Sequence, residues 1–210
     1  MYDDCVYKFS TGQRVYLVFK RFFDILISAV SIILLSPLIL LISLLIKLTS
    51  EGPVVFSQNR VGQFGKSIKV YKFRTMLLSA PKEVATGDLE NPNEYITKIG
   101  KILRITSLDE ILQFFNVLKG DMSIVGPRPI ILNEIKIHEL RKKENIYLIK
   151  PGITGLAQIN GRDLLTAEEK VHFDSIYTRK ISLKMDIHIL FKSAVVVLKR
   201  ADFFEGKIKK

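Results

Sequence analysis

Two carboxylates stand side by side in TSLDEILQFFNVLKG, residues 106–120, at the front of a helical pattern. The amino end of a helix presents unpaired amides and a positive dipole, which favour an ionised Asp109 and attract phosphate. An ionised carboxylate can attack phosphorus and form an acyl phosphate. Adjacent helical residues do not share a face, so Asp109 and Glu110 suit two separate tasks better than one shared proton. The same letters also read as an ordinary helix start. Ser107 and Glu110 have capping-box spacing, while Leu108, Ile111, Leu112, Phe115 and Leu118 recur at helical intervals. Gly120 suits a left-handed stop. Capping and catalysis both stay open at this point.

Phosphoryl chemistry needs cations held still. Arg128 in VGPRP lies between Pro127 and Pro129, whose fixed φ angles stiffen the backbone, and a guanidinium on such a support is prepared for bidentate phosphate contact. A rigid surface turn with an incidental arginine is the other reading. Arg104, close before Asp109, and Arg162 in NGRD are further candidates, each with solvated surface charge as its alternative. Other chemistries lack their motifs. The chain has no phosphate loop, no dinucleotide fingerprint, no nucleophile elbow, no H-E-x-x-H zinc helix and no Asp-x-Asp pair. His138, His172 and His188 are far apart, and Cys5 is the single cysteine, so neither a zinc cluster nor an internal disulfide is indicated.

Positioning these residues falls to a chain with one strongly apolar segment. Ile25 to Ile46 carries no charge in 22 residues, enough for a bilayer-crossing helix. Ser36-Pro37 falls in its middle and predicts a kink. Lys20 and Arg21 precede the run, and Lys47, Arg60, Lys66, Lys69, Lys72 and Arg74 follow it. Positive charge at both ends favours one face of the membrane for both. A helix that dips in and returns satisfies both signals; a single span with a tolerated proline stays open. Beyond it, Val54 to Asn59 and Ile68 to Phe73 read as a β-hairpin around Gly62 and Gly65. Residues 79–97 read as a mobile loop placed where a lid would be useful, and Ile130 to Asn145 reads as a charged helix. The stretch 150–163 is a glycine-punctuated connection. Leu183, Ile187, Leu190, Phe191, Ala194, Val197 and Leu198 form one stripe, with Lys184, His188, Lys192 and Lys199 on another face. That helix can lie among lipid headgroups or pack into a core. The net charge of +11 indicates an anionic partner: nucleic acid, phospholipid or phosphorylated substrate.

KRFFDILISAVSIILLSPLILL, VYKFRTM, RITSLDEILQFFNVLKGDMSIVGPRP and KPGITGLAQINGR follow one another here, and in order and spacing the chain resembles the bacterial sugar transferases, the monotopic phosphoglycosyl transferases, of the small single-domain type. The resemblance runs from about Lys20 to Lys199. It implies a bacterial inner-membrane enzyme, on the cytoplasmic leaflet, that moves a phospho-sugar from a UDP-sugar to polyprenyl (undecaprenyl) phosphate and releases UMP. It implies that Asp109 is the nucleophile and becomes covalently loaded, that Glu110 serves the entry of the lipid phosphate as a base, and that Mg²⁺ sits close to Asp109. It assigns Ser36-Pro37 to a re-entrant break and places phosphate or nucleotide contacts at Arg128 and Arg162, with Lys72, in the corresponding basic strand, a further substrate-binding candidate. The charge then finds its partners in anionic lipid, UDP and polyprenyl phosphate, with no nucleic acid; a homo-oligomer is left open.

The expected fold is α/β and mostly helical: a re-entrant membrane helix-break-helix, interfacial amphipathic helices and a small cytoplasmic domain with a β-hairpin. The expected division is a lead-in at 1–19, the membrane helix at 20–50, the catalytic domain at 51–200 and a basic tail at 201–210. Two competitors remain, a non-catalytic basic module anchored at the membrane and a transferase in which the lipid phosphate attacks directly.

Overall fold

The computed structural model describes residues 7–81, 91–161 and 164–199, which are mostly helical with two small sheets. Helix α1 (Thr11–Thr49) starts within the stretch read as a lead-in. Ser10 and Gln13 form a reciprocal capping box there, with the Ser10 hydroxyl accepting from the Gln13 amide and Gln13 Oε1 accepting from the Ser10 amide. The helix runs on through Pro37. Proline removes the amide that would meet the Ile33 carbonyl, and Ser36 Oγ donates to that carbonyl at 2.8 Å instead. The serine-proline pair is therefore a repaired defect inside one helix. Only 11% of the most apolar window of α1 is buried, so it is not the core helix of a soluble domain, and it is long and apolar enough to cross a membrane. Val18, Phe22, Ile33, Leu34, Leu40 and Leu48 stand exposed along it.

Strands β1 (Val55–Val61) and β2 (Ser67–Phe73) form the antiparallel hairpin, in register from Val55 opposite Phe73 to Val61 opposite Ser67. Of the loop read at 79–97, residues 82–90 lie outside the described residues; its far end forms the short helix α2 (Pro92–Tyr95) and bridges Ile96 to Met76. Helix α3 (Lys98–Ile105), a 3₁₀ turn (Leu108–Glu110) and helix α4 (Gln113–Lys119) follow. Gly120 ends α4 at φ 96°, the left-handed stop its sequence indicates. The buried side of α4 differs from the periodic reading: Gln113, Asn116 and Val117 face inward while Phe115 is 43% exposed. The 3₁₀ turn changes the phase of the helix that follows it, and the Asn116 side chain takes the backbone of β2, accepting from the Tyr71 amide and donating to the Lys69 carbonyl.

Strand β3 (Ser123–Val125), helix α5 (Ile135–Lys143), strand β4 (Gly152–Thr154) and helices α6 (Leu156–Ile159), α7 (Ala167–Lys180) and α8 (Leu183–Lys199) complete the domain. Helix α5 starts later than its sequence pattern because Ile130 and Ile131 stay extended against β1, where the Val61 amide donates to the Ile130 carbonyl. Parallel β3 and β4 sit over the main core of Val70, Val117, Met122, Val125, Tyr177 and Ile189.

Helix α1 grips this domain at both ends. Toward its start, Asp24 accepts from Ser123 Oγ at 2.7 Å and the Ile124 amide at 3.1 Å, and Lys20 meets Asp186 at 2.6 Å. Toward its end, Ile42 and Ile46 pack with Phe73, Leu103, Ile111 and Leu112, and Arg74 donates to the carbonyl and hydroxyl of Ser50. Asp186 also explains how α8 lies. Tyr16, Lys20 and Tyr177 all bind its carboxylate, turning Asp186 and Ile189 inward. Leu183, Ile187, Leu190, Phe191 and Val197 consequently stand exposed, which excludes the core alternative for that stripe.

Candidate active site

The dyad is not the capping box that its letters suggest. Ser107 lies in the left-handed region at φ 57° and makes no side-chain cap, and the following 3₁₀ turn closes through the Glu110 amide on the Ser107 carbonyl at 3.2 Å. The real boxes are Ser10 with Gln13 and Thr166 with Glu169. Freed from capping, the Glu110 carboxylate turns to the hairpin and the proline-flanked turn: Oε1 accepts from Lys72 Nζ at 2.7 Å and from Arg128 Nη2 at 2.8 Å. Two cations thus share one oxygen. Arg128 is a cation that its sequence setting assigned to phosphate and Lys72 one that the resemblance offered for substrate, and Glu110 stands where an anion would.

Asp109, 9% exposed, has no hydrogen-bond or ion-pair partner for its carboxylate among the described residues. Burial raises its pKa above the ordinary carboxylate value, and Glu110 adds to that, while the charges of Lys72, Arg104 and Arg128 pull it down. Burial likewise lowers the Lys72 ammonium below the usual lysine range, against the pull of Glu110 and Asp109. The result is a carboxylate inside a ring of cations that none of them binds directly. Its lone pairs are available to an electrophile.

Each cation comes from a different element. Lys72 projects from β2; Arg104 from the last turn of α3, where its Nε donates to Thr75 Oγ1 at 2.9 Å. Arg128 follows β3 on a turn held from several sides. Arg141 Nη1 donates to the Arg128 carbonyl at 2.9 Å, and Arg141 is anchored by the buried Asp174 at 2.5 Å. The glycines around the turn let backbone meet backbone: a Cβ at Gly152 would lie 2.1 Å from the Gly126 nitrogen and one at Gly126 2.5 Å from the Lys150 carbonyl oxygen. That close approach is the physical content of the motifs VGPRP and KPGITG.

Of the residues singled out by sequence, Asp109, Glu110, Lys72, Arg104 and Arg128 come together, and Arg162 lies outside the described residues. Ser36 and Pro37, read as a break, lie inside α1, which runs on through them. Three participants escaped the sequence reading. Arg60 stands beside the Arg128 turn, donating to the Pro129 carbonyl at 3.3 Å; its alternation with Gln58 in β1 was the available signal. Arg141 and Asp174 are brought together only by the packing of α5 on α7, which no local pattern announces.

The chain matches the family described as bacterial sugar transferase over residues 15–200. It is 45% identical over 194 residues to the UDP-glucose:undecaprenyl-phosphate glucose-1-phosphate transferase of Klebsiella pneumoniae, covering 87% of this chain and 40% of that protein. It is 46% identical over 184 residues to the protein of the same description from Escherichia coli (strain K12), covering 82% and 38%. The chain thus spans about two-fifths of the length of these two relatives. To the exopolysaccharide production protein ExoY of Sinorhizobium fredii it is 36% identical over 193 residues, covering 85% of this chain and 84% of that one. A family match across nearly the whole chain, with Asp109, Glu110, Lys72 and Arg128 gathered inside it, fixes the membership: the chain belongs to the bacterial sugar transferases.

Proposed function

We propose that the protein transfers a sugar phosphate from a UDP-sugar to undecaprenyl phosphate at the cytoplasmic leaflet of the bacterial inner membrane, through a covalent intermediate on Asp109. The observation that carries this reading is the Asp109 carboxylate, buried, without a bonding partner among the described residues and surrounded by Lys72, Arg104 and Arg128. The names of the relatives support the substrate classes.

In this reading the donor's diphosphate enters and draws Lys72 and Arg128 away from Glu110. Asp109 attacks the sugar-bearing phosphorus; the bond to the bridging oxygen breaks, and its electron pair leaves on UMP. Fixed cations stabilise the charge that develops, an effect worth several kcal/mol where water is excluded, roughly 3–4 per donor. Glu110, released, accepts the proton of the incoming lipid phosphate, whose oxygen then displaces Asp109 and yields the lipid-diphospho-sugar. Mg²⁺ is part of the proposal. It binds through one or two carboxylates and substrate phosphates rather than in an all-protein cage, and a dyad with one uncommitted carboxylate, without a cluster of three ligands among the described residues, fits that pattern. Asp109 would hold it with the diphosphate oxygens, where it supplies charge neutralisation.

The re-entrant path of α1 belongs to the same reading. Its support is that one domain holds both flanks of the apolar run, as a helix returning to its own side requires. The stripe on α8 would rest at the headgroups.

The test is UMP release from purified full-length protein given a panel of UDP-sugars, Mg²⁺ and undecaprenyl phosphate. Release with at least one donor, lost on the order of 10⁴-fold in Asp109→Asn, is the expected result. Release by neither would leave the anchored basic module as the better account, and equal release by both would remove Asp109 as nucleophile and favour direct attack by the lipid phosphate.

A further inference from the structure

One cation of the site has no part in the chemistry above. In β1 the inward side chains are Phe56, Gln58 and Arg60, paired across the hairpin with Lys72, Val70 and Ile68. Cross-strand partners share a face, so Arg60 and Lys72 project from the same face of the hairpin. The Arg60 guanidinium is held there, with Nη2 donating to Gln58 Oε1 at 2.6 Å and Nη1 to the Pro129 carbonyl at 3.3 Å. Ile131 bridges to Arg60 through the backbone, which locks the Arg128 turn against the strand. Arg60 thus approaches the site from the side of Pro129, with Lys72 and Arg128 gathered on Glu110 beyond it.

The surroundings of Arg60 are not those of a satisfied structural arginine. It has no ion-pair partner among the described residues, although a half-buried charge is costly without one. Burial and the nearby charge of Arg128 press its pKa down to about 10, while Glu134 and Glu110 oppose that. It is still charged at neutral pH. Two bonds occupy two of the five donors of a guanidinium, and the rest are available to an arriving anion. The donor has two phosphates, and the chemistry above gives Arg60 no part in holding either.

Building on the phosphoryl-transfer reading, we infer that Arg60 forms a second phosphate subsite, which binds the phosphate that departs as UMP. When Asp109 bonds to the sugar-bearing phosphorus, the bridging P–O bond breaks and its electron pair becomes negative charge on the departing phosphate. No proton has to move. A guanidinium fixed beside that oxygen stabilises the charge as it forms, by a charge-assisted hydrogen bond. The geometry divides the labour. Lys72 and Arg128, released by Glu110, take the transferred phosphate, and Arg60 takes the leaving one.

The subsite is tested by equilibrium binding of UMP and of uridine to the full-length protein in lipid nanodiscs, measured by calorimetry. The wild type binds UMP more tightly than uridine. Arg60→Gln loses about tenfold or more of that preference while its affinity for uridine stays within about twofold. Arg60→Lys, which keeps the charge but cannot reach both Gln58 and Pro129, retains most of the preference. The inference is overturned if Arg60→Gln keeps the preference, if it loses uridine and UMP alike, or if Arg60→Lys falls as far as Arg60→Gln, since the last two mark a residue that only holds the turn. A wild type that does not favour UMP over uridine would bring down the phosphoryl-transfer reading itself; a wild-type preference untouched by Arg60→Gln would bring down the subsite alone.

Discussion

In the proposed mechanism Asp109 must be ionised to attack, and Lys72 must be charged to hold phosphate. Burial moves the two pKa values toward each other, Asp109 upward and Lys72 downward. Activity should therefore be lost as pH falls through the raised value of Asp109 and again as pH rises through the lowered value of Lys72. Single-turnover UMP release should trace a bell narrower than free aspartate and lysine would give, and Lys72→Arg should move only its alkaline limb upward, because arginine keeps its charge. Stability carries the opposite sign at Asp109. An acid whose pKa is raised on folding contributes stability that is present at low pH and lost as pH rises through the folded value. Asp109→Asn removes that loss, so at pH 8 it should melt no lower than the parent while its turnover disappears. A variant that melted well below the parent would mean that Asp109 serves the fold.

At the scale of elements, the Arg128 turn depends on a pair remote from the dyad in sequence. Arg141 and Asp174, 3% and 1% exposed, join α5 to α7 and hold the Arg128 carbonyl. Arg141→Met leaves the carboxylate buried and unpaired, which costs about 3–5 kcal/mol, measurable by urea denaturation. Adding Asp174→Leu should recover most of that loss without restoring the donor KM, since the carbonyl of Arg128 stays unheld. Full recovery of both would reduce the pair to packing. The hairpin, the Gly120 stop and the long apolar helix were legible in the sequence because each rests on local chemistry: alternation, a left-handed glycine and a long apolar run. What misled was local too. Ser107 and Glu110 carry the letters of a capping box, yet a left-handed Ser107 and the pull of Lys72 and Arg128 give Glu110 another task. In α8 the apolar stripe is the face that stays outside, because the bonds that Asp186 makes to Tyr16, Lys20 and Tyr177 decide which side turns in. Long-range polar contacts of this kind leave no period to read.

For the whole molecule the central matter is how α1 and the domain meet a bilayer. A 39-residue helix is about 58 Å long if straight, roughly twice a hydrocarbon core. Its flanks hold one domain, through Asp24 at one end and Ile42, Ile46 and Ser50 at the other, and one folded unit cannot stand on both sides of a membrane at once. Single cysteines at the exposed positions Lys8 and Glu51, in a Cys5→Ser background, should therefore react with an impermeant maleimide from the same side in oriented inner-membrane vesicles. Labelling from opposite sides would establish a true span. The exposed stripe of α8 adds a second contact: Ile187→Asp with Phe191→Asp should weaken lipid association without lowering the melting temperature, since neither side chain is in the core.

The covalent step is the claim on which the rest depends. Intact-mass spectrometry of the full-length protein, mixed with its UDP-sugar and Mg²⁺ but no lipid acceptor, should show a gain equal to one sugar phosphate, mapped by peptide sequencing to Asp109 and discharged when undecaprenyl phosphate is added. Stoichiometric UMP release with no adduct, or an adduct that survives Asp109→Asn, would contradict it.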